Sequence, residues 1–287
     1  LSHVLDFPKQ RFIDLLSRNK IEWDRLITAE FDLQAFEAET SLEGNTLLHL
    51  AILQNREDWA KLLSKIPRMA RKRNKYGLTP SDLEKFLHRK PFLHEDPLTV
   101  FEVAPPHEHL AYPVFESEKI FDQILQKSAK AKAIDRISPE KIWMGIYFNN
   151  ELENGLHPKV VVKKISDEIG LGVFAAERIR GASFAGEYTG VVREKKMKLV
   201  RDNFYCTRYT VWQMGWKKFV LDAEEKGNFT RFINHSEQPN LGLQTIYWRG
   251  VPRMIFVALK DIEAGDQLSF NYGNLFWKEC KKKPFRI

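Results

Sequence analysis

Cysteine is nearly missing from this chain of 287 residues: only Cys206 and Cys280 occur, 74 positions apart. Two thiols so placed make neither a disulfide framework nor a paired-cysteine zinc motif, and such usage fits a reducing compartment. Long apolar runs are missing too. The longest, residues 254–259, falls far short of the ~20 residues that cross a bilayer, and no apolar stretch opens the chain, which argues against a membrane role. The first residue is Leu1 rather than Met, so an upstream targeting segment stays open.

What is present is a globular composition, 43% hydrophobic and 29% charged, enough for one to three domains with ample core. The net charge of +7 is uneven: +1 over residues 1–100, −3 over 101–158 and +9 over 159–287. Its densest basic patches are Arg193-Glu194-Lys195-Lys196-Met197-Lys198 and the tail Lys278-Glu279-Cys280-Lys281-Lys282-Lys283. Such patches suit phosphate backbones or an acidic partner, but solvated faces are commoner, so charge alone does not assign nucleic-acid binding.

Near the N-terminus, Gly44-Asn45-Thr46-Leu47-Leu48-His49-Leu50-Ala51 recurs in outline as Tyr76-Gly77-Leu78-Thr79-Pro80-Ser81-Asp82-Leu83, with Thr46 and Thr79 in corresponding places. The Thr46-to-Thr79 period and the residue types resemble the ankyrin motif, in which a Thr-Pro-Leu-His turn opens the first of two antiparallel helices. Leu47, Leu48, Ala51 and Ile52 share one helical face, as do Trp59, Leu62, Leu63 and Ile66 on the next. Stacked repeats need neighbours, so a helix over residues 12–27 is expected as a cap. The resemblance gives His49 a structural role, bonding nearby backbone. Arg71-Lys72-Arg73 and Lys75, between the repeats, read as a solvated loop, with a localisation signal as the alternative.

Pro91, Pro97, Pro105, Pro106 and Pro113, with His94, His107 and His109 among them, read as an irregular connector. Metal binding is the lesser reading of those histidines, which lack cysteine partners and a regular spacing. Helical spacing returns over 115–134, and Ser138-Pro139-Glu140 reads as an N-cap with proline at N1. From residue 159 onward short β-branched runs predict strands at 160–162, 169–174, 184–188, 219–221 and 255–258.

The densest chemistry lies in residues 227–240, Gly-Asn-Phe-Thr-Arg-Phe-Ile-Asn-His-Ser-Glu-Gln-Pro-Asn. Upstream stands Glu187-Tyr188-Thr189-Gly190 and downstream Leu268-Ser269-Phe270-Asn271-Tyr272-Gly273. Order, spacing and residue types, over roughly 159–277, resemble the SET-domain protein lysine methyltransferases, on four motifs where one would be weak. The resemblance implies a multidomain α and β chain: an ankyrin-type repeat region (1–90), a proline-rich connector with bridging helices (91–158), a mainly-β SET domain of several short sheets with a knot-like C-terminal crossing (159–277) and a basic tail (278–287).

It also implies S-adenosylmethionine as cofactor and methyl transfer to a lysine of a protein substrate, histones and other proteins alike. In-line transfer needs a neutral amine, alignment and exclusion of water, and no metal. Residue by residue, Tyr272 matches the family's catalytic tyrosine and Tyr188 its partner in the lysine channel. Asn234 and His235 match residues that hold the cofactor, and Gly170-Leu171-Gly172 the turn whose backbone approaches it. Phe270 falls where the family sets phenylalanine or tyrosine against the amine, which implies the di- or trimethyl state. Trp277, after the final turn, is the expected cover of the cofactor pocket, with core packing as its alternative. Arg231 and Phe232 are expected to support the loop. Cys206 is expected to be a small buried residue, and Cys280 the more reactive thiol.

Two departures stand out: Glu237 follows Asn-His-Ser where cysteine is common, and Asn271 precedes Tyr272 where aspartate is common. The first fits a domain without a C-terminal zinc segment. Rival readings are an inactive SET and ankyrin scaffold and a nucleic-acid-associated basic protein. Nucleus or cytosol is the expected site of action, as a eukaryotic enzyme or as an effector of an intracellular bacterium.

Overall fold

The computed structural model describes residues 16, 21, 23, 39–87, 96–104, 107–195, 203–209, 219–274, 276 and 277. The expected cap over residues 12–27, except at those three positions, lies outside them, as do His94, Lys196 to Lys198, the basic tail and Cys280. Contacts divide the chain into two compact units, Leu1–Lys90 and Pro91–Ile287. No described helix is long and apolar enough to cross a membrane.

In the first unit, short helices run over Leu47–Leu53, Glu57–Leu63, Pro67–Arg71 and Pro80–Phe86. Both corresponding threonines cap a helix through a reciprocal box: Thr46 with His49, and Thr79 with Asp82. The turns before them are tied together, since Asn74 Nδ2 donates to Asn45 Oδ1 at 3.0 Å and Lys75 N to Glu43 O at 2.9 Å. Thr46 N donates to His49 Nδ1 (3.1 Å), so the ring's proton sits on Nε2, which donates to Leu78 O (3.1 Å). Burial pushes the His49 pKa down to about 4, which leaves a neutral imidazole doing the backbone-bonding work expected of it. Leu47, Leu50, Leu63 and Met69 are fully buried. Leu62, expected on the buried face, is 44% exposed. The helix ends at Leu63 and Pro67 starts another at N1, so helical spacing does not carry across Ile66.

The second unit is built from short sheets. Strands are β1 (Thr99–Phe101), β2 (Glu108–His109), β3 (Val114–Phe115), β4 (Val160–Ser166), β5 (Gly170–Ala175), β6 (Phe184–Glu187), β7 (Val191–Glu194), β8 (Cys206–Tyr209), β9 (Phe219–Asp222), β10 (Lys226–Gly227), β11 (Asn234–His235), β12 (Leu241–Trp248), β13 (Val251–Ala258) and β14 (Ser269–Phe270). They join as β1-β4-β5, β2-β10, β3-β7-β9-β8 and β11-β14-β12-β13-β6. The proline-rich stretch is therefore more than a connector. Its non-proline residues supply β1 and β2, and β3 follows directly after Pro113, each pairing in parallel with a strand of the later sequence. Proline density limits these strands to two or three residues and leaves them as edges, which local pattern does not reveal.

Helix Glu118–Ala133 starts at Ser117, whose side chain accepts from Ile120 N, and buries Ile120, Phe121, Ile124 and Leu125. Helix Pro139–Tyr147 has proline at N1 as expected, but Ser138 makes no side-chain cap. A buried ion pair ties β6 to β13: both oxygens of the Glu187 carboxylate take N–H groups of Arg253, whose side chain is 0% exposed.

Candidate active site

The site grows from backbone pairing. Asn228 Oδ1 accepts from Thr230 N and opens the 3₁₀ turn Phe229–Phe232, while its Nδ2 donates to Glu187 O at 2.9 Å. Glu187-Tyr188 and the Asn-His loop are thereby stitched together, although 41 residues part them. The loop continues into β11, which pairs in parallel with β14: Asn234 opposite Ser269, His235 opposite Phe270. Asn240 completes the junction, donating from Nδ2 to Gln267 O (2.8 Å) and accepting from Ser269 N (2.9 Å).

Gly170, Leu171 and Gly172 are the opening residues of β5 rather than a turn; Leu171 pairs with Lys164 and Gly172 with Lys163. Gly170 takes φ +82° with nothing within 4 Å of where a Cβ would stand, and a side chain on Gly172 would collide with Ile165 and crowd the Asn234 amide at 3.3 Å. That amide donates to Leu171 O at 3.0 Å, so the glycine segment and the Asn-His loop form one cradle. Its floor is backbone, open at Gly170, which fits a group lying close against the main chain.

His235 is 5% exposed. Its Nδ1 accepts from Tyr272 N (3.1 Å), so Nε2 carries the proton and donates to Glu237 Oε1 (3.1 Å). Trp277 stacks on Tyr272, with centroids 5.8 Å apart and planes 14° apart, and meets the His235 ring edge-on at 5.0 Å.

A second space, about 310 Å³, is lined by Tyr188, Tyr272, Phe270, Phe276, Cys206 and Arg231 among others. The Tyr188 hydroxyl donates to Tyr205 O and the Tyr272 hydroxyl to Ile233 O, both at 2.9 Å. With its proton so used, each oxygen can only accept from a guest. Burial raises both phenol pKa values above the ordinary range, so both stay protonated at neutral pH. Phe270 packs against Tyr272 (4.7 Å) and Phe256 (5.0 Å).

The sequence motifs thus meet around Tyr272, which faces the cavity with its ring and hydroxyl and bonds His235 through its backbone. Cys206, expected to be buried, is half-buried on β8 and lines the cavity. Arg231 lines it too, with no signal in the loop pattern to set it apart from its supporting neighbours.

Residues 170–273 match the family model of the SET domain. The chain is 36% identical over 143 residues to Histone-lysine N-methyltransferase EZH2 of Chaetomium thermophilum, across 47% of this chain and 9% of that protein. It is 30% identical over 142 residues to Histone-lysine N-methyltransferase EHMT1 of Homo sapiens, across 48% of this chain and 11% of that one. A solved structure of ctPRC2 in an autoinhibited conformation bound to S-adenosylmethionine matches at 31% identity and TM-score 0.36, over 43% of this chain and 16% of its own. The stretch of the second unit that matches the family model is thus similar to a SET domain. The chain spans about a tenth of the length of the two relatives named.

Proposed function

We propose that the protein is a protein lysine N-methyltransferase that uses S-adenosylmethionine, with histones the first candidate substrates. The observation that carries this is the pair of tyrosine hydroxyls of Tyr188 and Tyr272, each donating to a carbonyl and each lining one aromatic cavity beside the cradle. A neutral amine has two N–H groups and one lone pair. Two hydroxyl oxygens that can only accept take the N–H groups and leave the lone pair to point at the reacting methyl. Phe270, Phe276 and Leu243 give that space apolar walls.

The cradle residues Gly170, Leu171, Gly172, Asn234 and His235 would hold the cofactor, with Trp277 over it. When bound, S-adenosylmethionine supplies a methyl group on a positively charged sulfur. Phenylalanine at 270 adds no hydroxyl of its own beside the amine, so a methylated amine keeps room to turn and the product is the di- or trimethyl state. The two capped turns at Thr46 and Thr79 support an ankyrin-type reading of residues 39–87, as a platform for a protein partner or substrate. The parallel meeting of β11 with β14 is read as the family's knot-like crossing. Action in the nucleus or cytosol accords with the cysteine usage.

The test is transfer of labelled methyl from S-adenosylmethionine to core histones, nucleosomes and whole-cell lysate, with the acceptor residue identified by mass spectrometry. Label on lysine is expected. Calorimetric binding of the cofactor with no transfer to any of the three would leave a binding scaffold instead.

A further inference from the structure

Nothing in that chemistry uses Arg231, yet its side chain lines the cavity of Tyr188 and Tyr272. It is 7% exposed, and its Nε and Nη1 are buried without a hydrogen-bond partner. The guanidinium carbon lies 3.8 Å from the centroid of the Tyr205 ring and 5.1 Å from that of Phe232. Rings attract a cation without neutralising it. Acidic compensation is weak: Glu224 is exposed, and Asp222 already accepts from Asn203 Nδ2 and lies 3.5 Å from Arg193. The other titratable or charged groups around it are Tyr188, Tyr205, Cys206, Arg208 and Tyr272, with His107 and its neighbour His109 on the β2 side.

Burial lowers the Arg231 pKa below its ordinary value, with Tyr205, Tyr188, Glu224 and Asp222 pulling the other way. The same charge reaches its neighbours. It adds to burial in pushing His107 down to about 4, and it opposes burial at Tyr188. A guanidinium remains protonated throughout. With Nε and Nη1 buried and unpaired, the charge reaches the cavity through its field.

We propose that Arg231 is a positioning residue for the transfer, its buried and unquenched positive charge holding the substrate amine neutral once the lysine has entered the cavity. The inference rests on the methyltransferase reading. A lysine ammonium gives its proton to bulk water, no other bond changes, and the freed lone pair is the one the two tyrosines aim. A nearby cation favours that neutral form. Retaining an unpaired buried charge is unfavourable for folding, so a neutral residue of similar length should not destabilise the protein.

The experiment measures turnover against pH at saturating core histones and S-adenosylmethionine, for wild type, Arg231→Met and Arg231→Lys, alongside thermal melting and calorimetric cofactor binding. Wild-type transfer to lysine tests the enzyme reading by itself, and the variants test the inference. Arg231→Met should melt no lower than wild type, bind cofactor normally and shift the acid limb of kcat upward by about one pH unit. That is about a tenfold loss on the acid limb, recovered at high pH. Arg231→Lys should restore the wild-type limb. An unmoved limb in a folded Arg231→Met protein overturns the proposal. A large drop in melting temperature, or no folded protein, overturns it equally, by assigning Arg231 to the support of the loop.

Discussion

Tyr272 joins the two halves of the site: its hydroxyl serves the cavity while its backbone N–H fixes the tautomer of His235. Phenylalanine in its place keeps the backbone bond and the ring stack on Trp277 but removes one of the two acceptors proposed for the amine. Turnover should fall by ~10²–10³, the scale for losing one preorganised polar group, with cofactor affinity nearly unchanged; steady-state kinetics and calorimetry check it, and unchanged turnover would remove Tyr272 from the mechanism. Phe270 asks a different question, since it packs on Tyr272 and lines the cavity without a polar atom. In Phe270→Tyr the added hydroxyl takes up turning space, so the product should move from the proposed two or three methyl groups toward one. Mass spectrometry of the modified lysine over a time course decides, and a wild-type reaction that stops at monomethyl-lysine with cofactor in excess would sink the idea.

Among elements, the β6–β13 pair depends on charge as well as on register. Burial pushes the Glu187 pKa up, against the pull of Arg253 that keeps the pair ionic. Replacing one partner strands the other charge in a dry interior, so Arg253→Met should cost about 3–5 kcal/mol in chemical denaturation, while Glu187→Leu with Arg253→Met should recover most of that. Equal losses in the single and double variants would contradict it.

His49 makes the helix Leu47–Leu53 sensitive to acid by the opposite logic, because it is buried neutral. The unfolded chain binds the proton near the ordinary value of 6.5, whereas the folded one resists until about 4. Stability from this group is therefore full above the first value and declines as pH falls toward the second, by roughly 3 kcal/mol in all. Hydrogen exchange over residues 46–53, corrected for intrinsic rates, should lose protection between about pH 6.5 and about pH 4 in wild type. It should lose much less in His49→Gln, which cannot take up the proton.

For the molecule as a whole, two compact units in one chain raise the question of what the first does for the second. If the N-terminal unit captures the protein substrate, catalysis at the SET domain becomes effectively intramolecular. Removing residues 1–90 should then raise the apparent KM for core histones by about tenfold while leaving that for a short lysine peptide almost unchanged. Equal damage to both would mean that the unit is needed for folding.

Much of this is legible in the sequence alone. Thr46 and Thr79 announce helix starts because capping is local, Val160 to Val162 announce a strand because β-branched side chains fit a pleat, and the run from Asn228 to Asn240 announces a site because its residue types are rare together. The rest depended on contacts no local window contains. The edge strands at Thr99, Glu108 and Val114 exist only where partners much later in the chain, at Val160, Lys226 and Val191, offer hydrogen bonds. Cys206 lines the cavity because β8 edges the sheet beside it, and Arg231 keeps two unpaired nitrogens because the fold surrounds it with rings instead of carboxylates. Residue types and their order are written in the chain; which charges end up paired, and which polar atoms lose their water, is decided only when distant segments close over them.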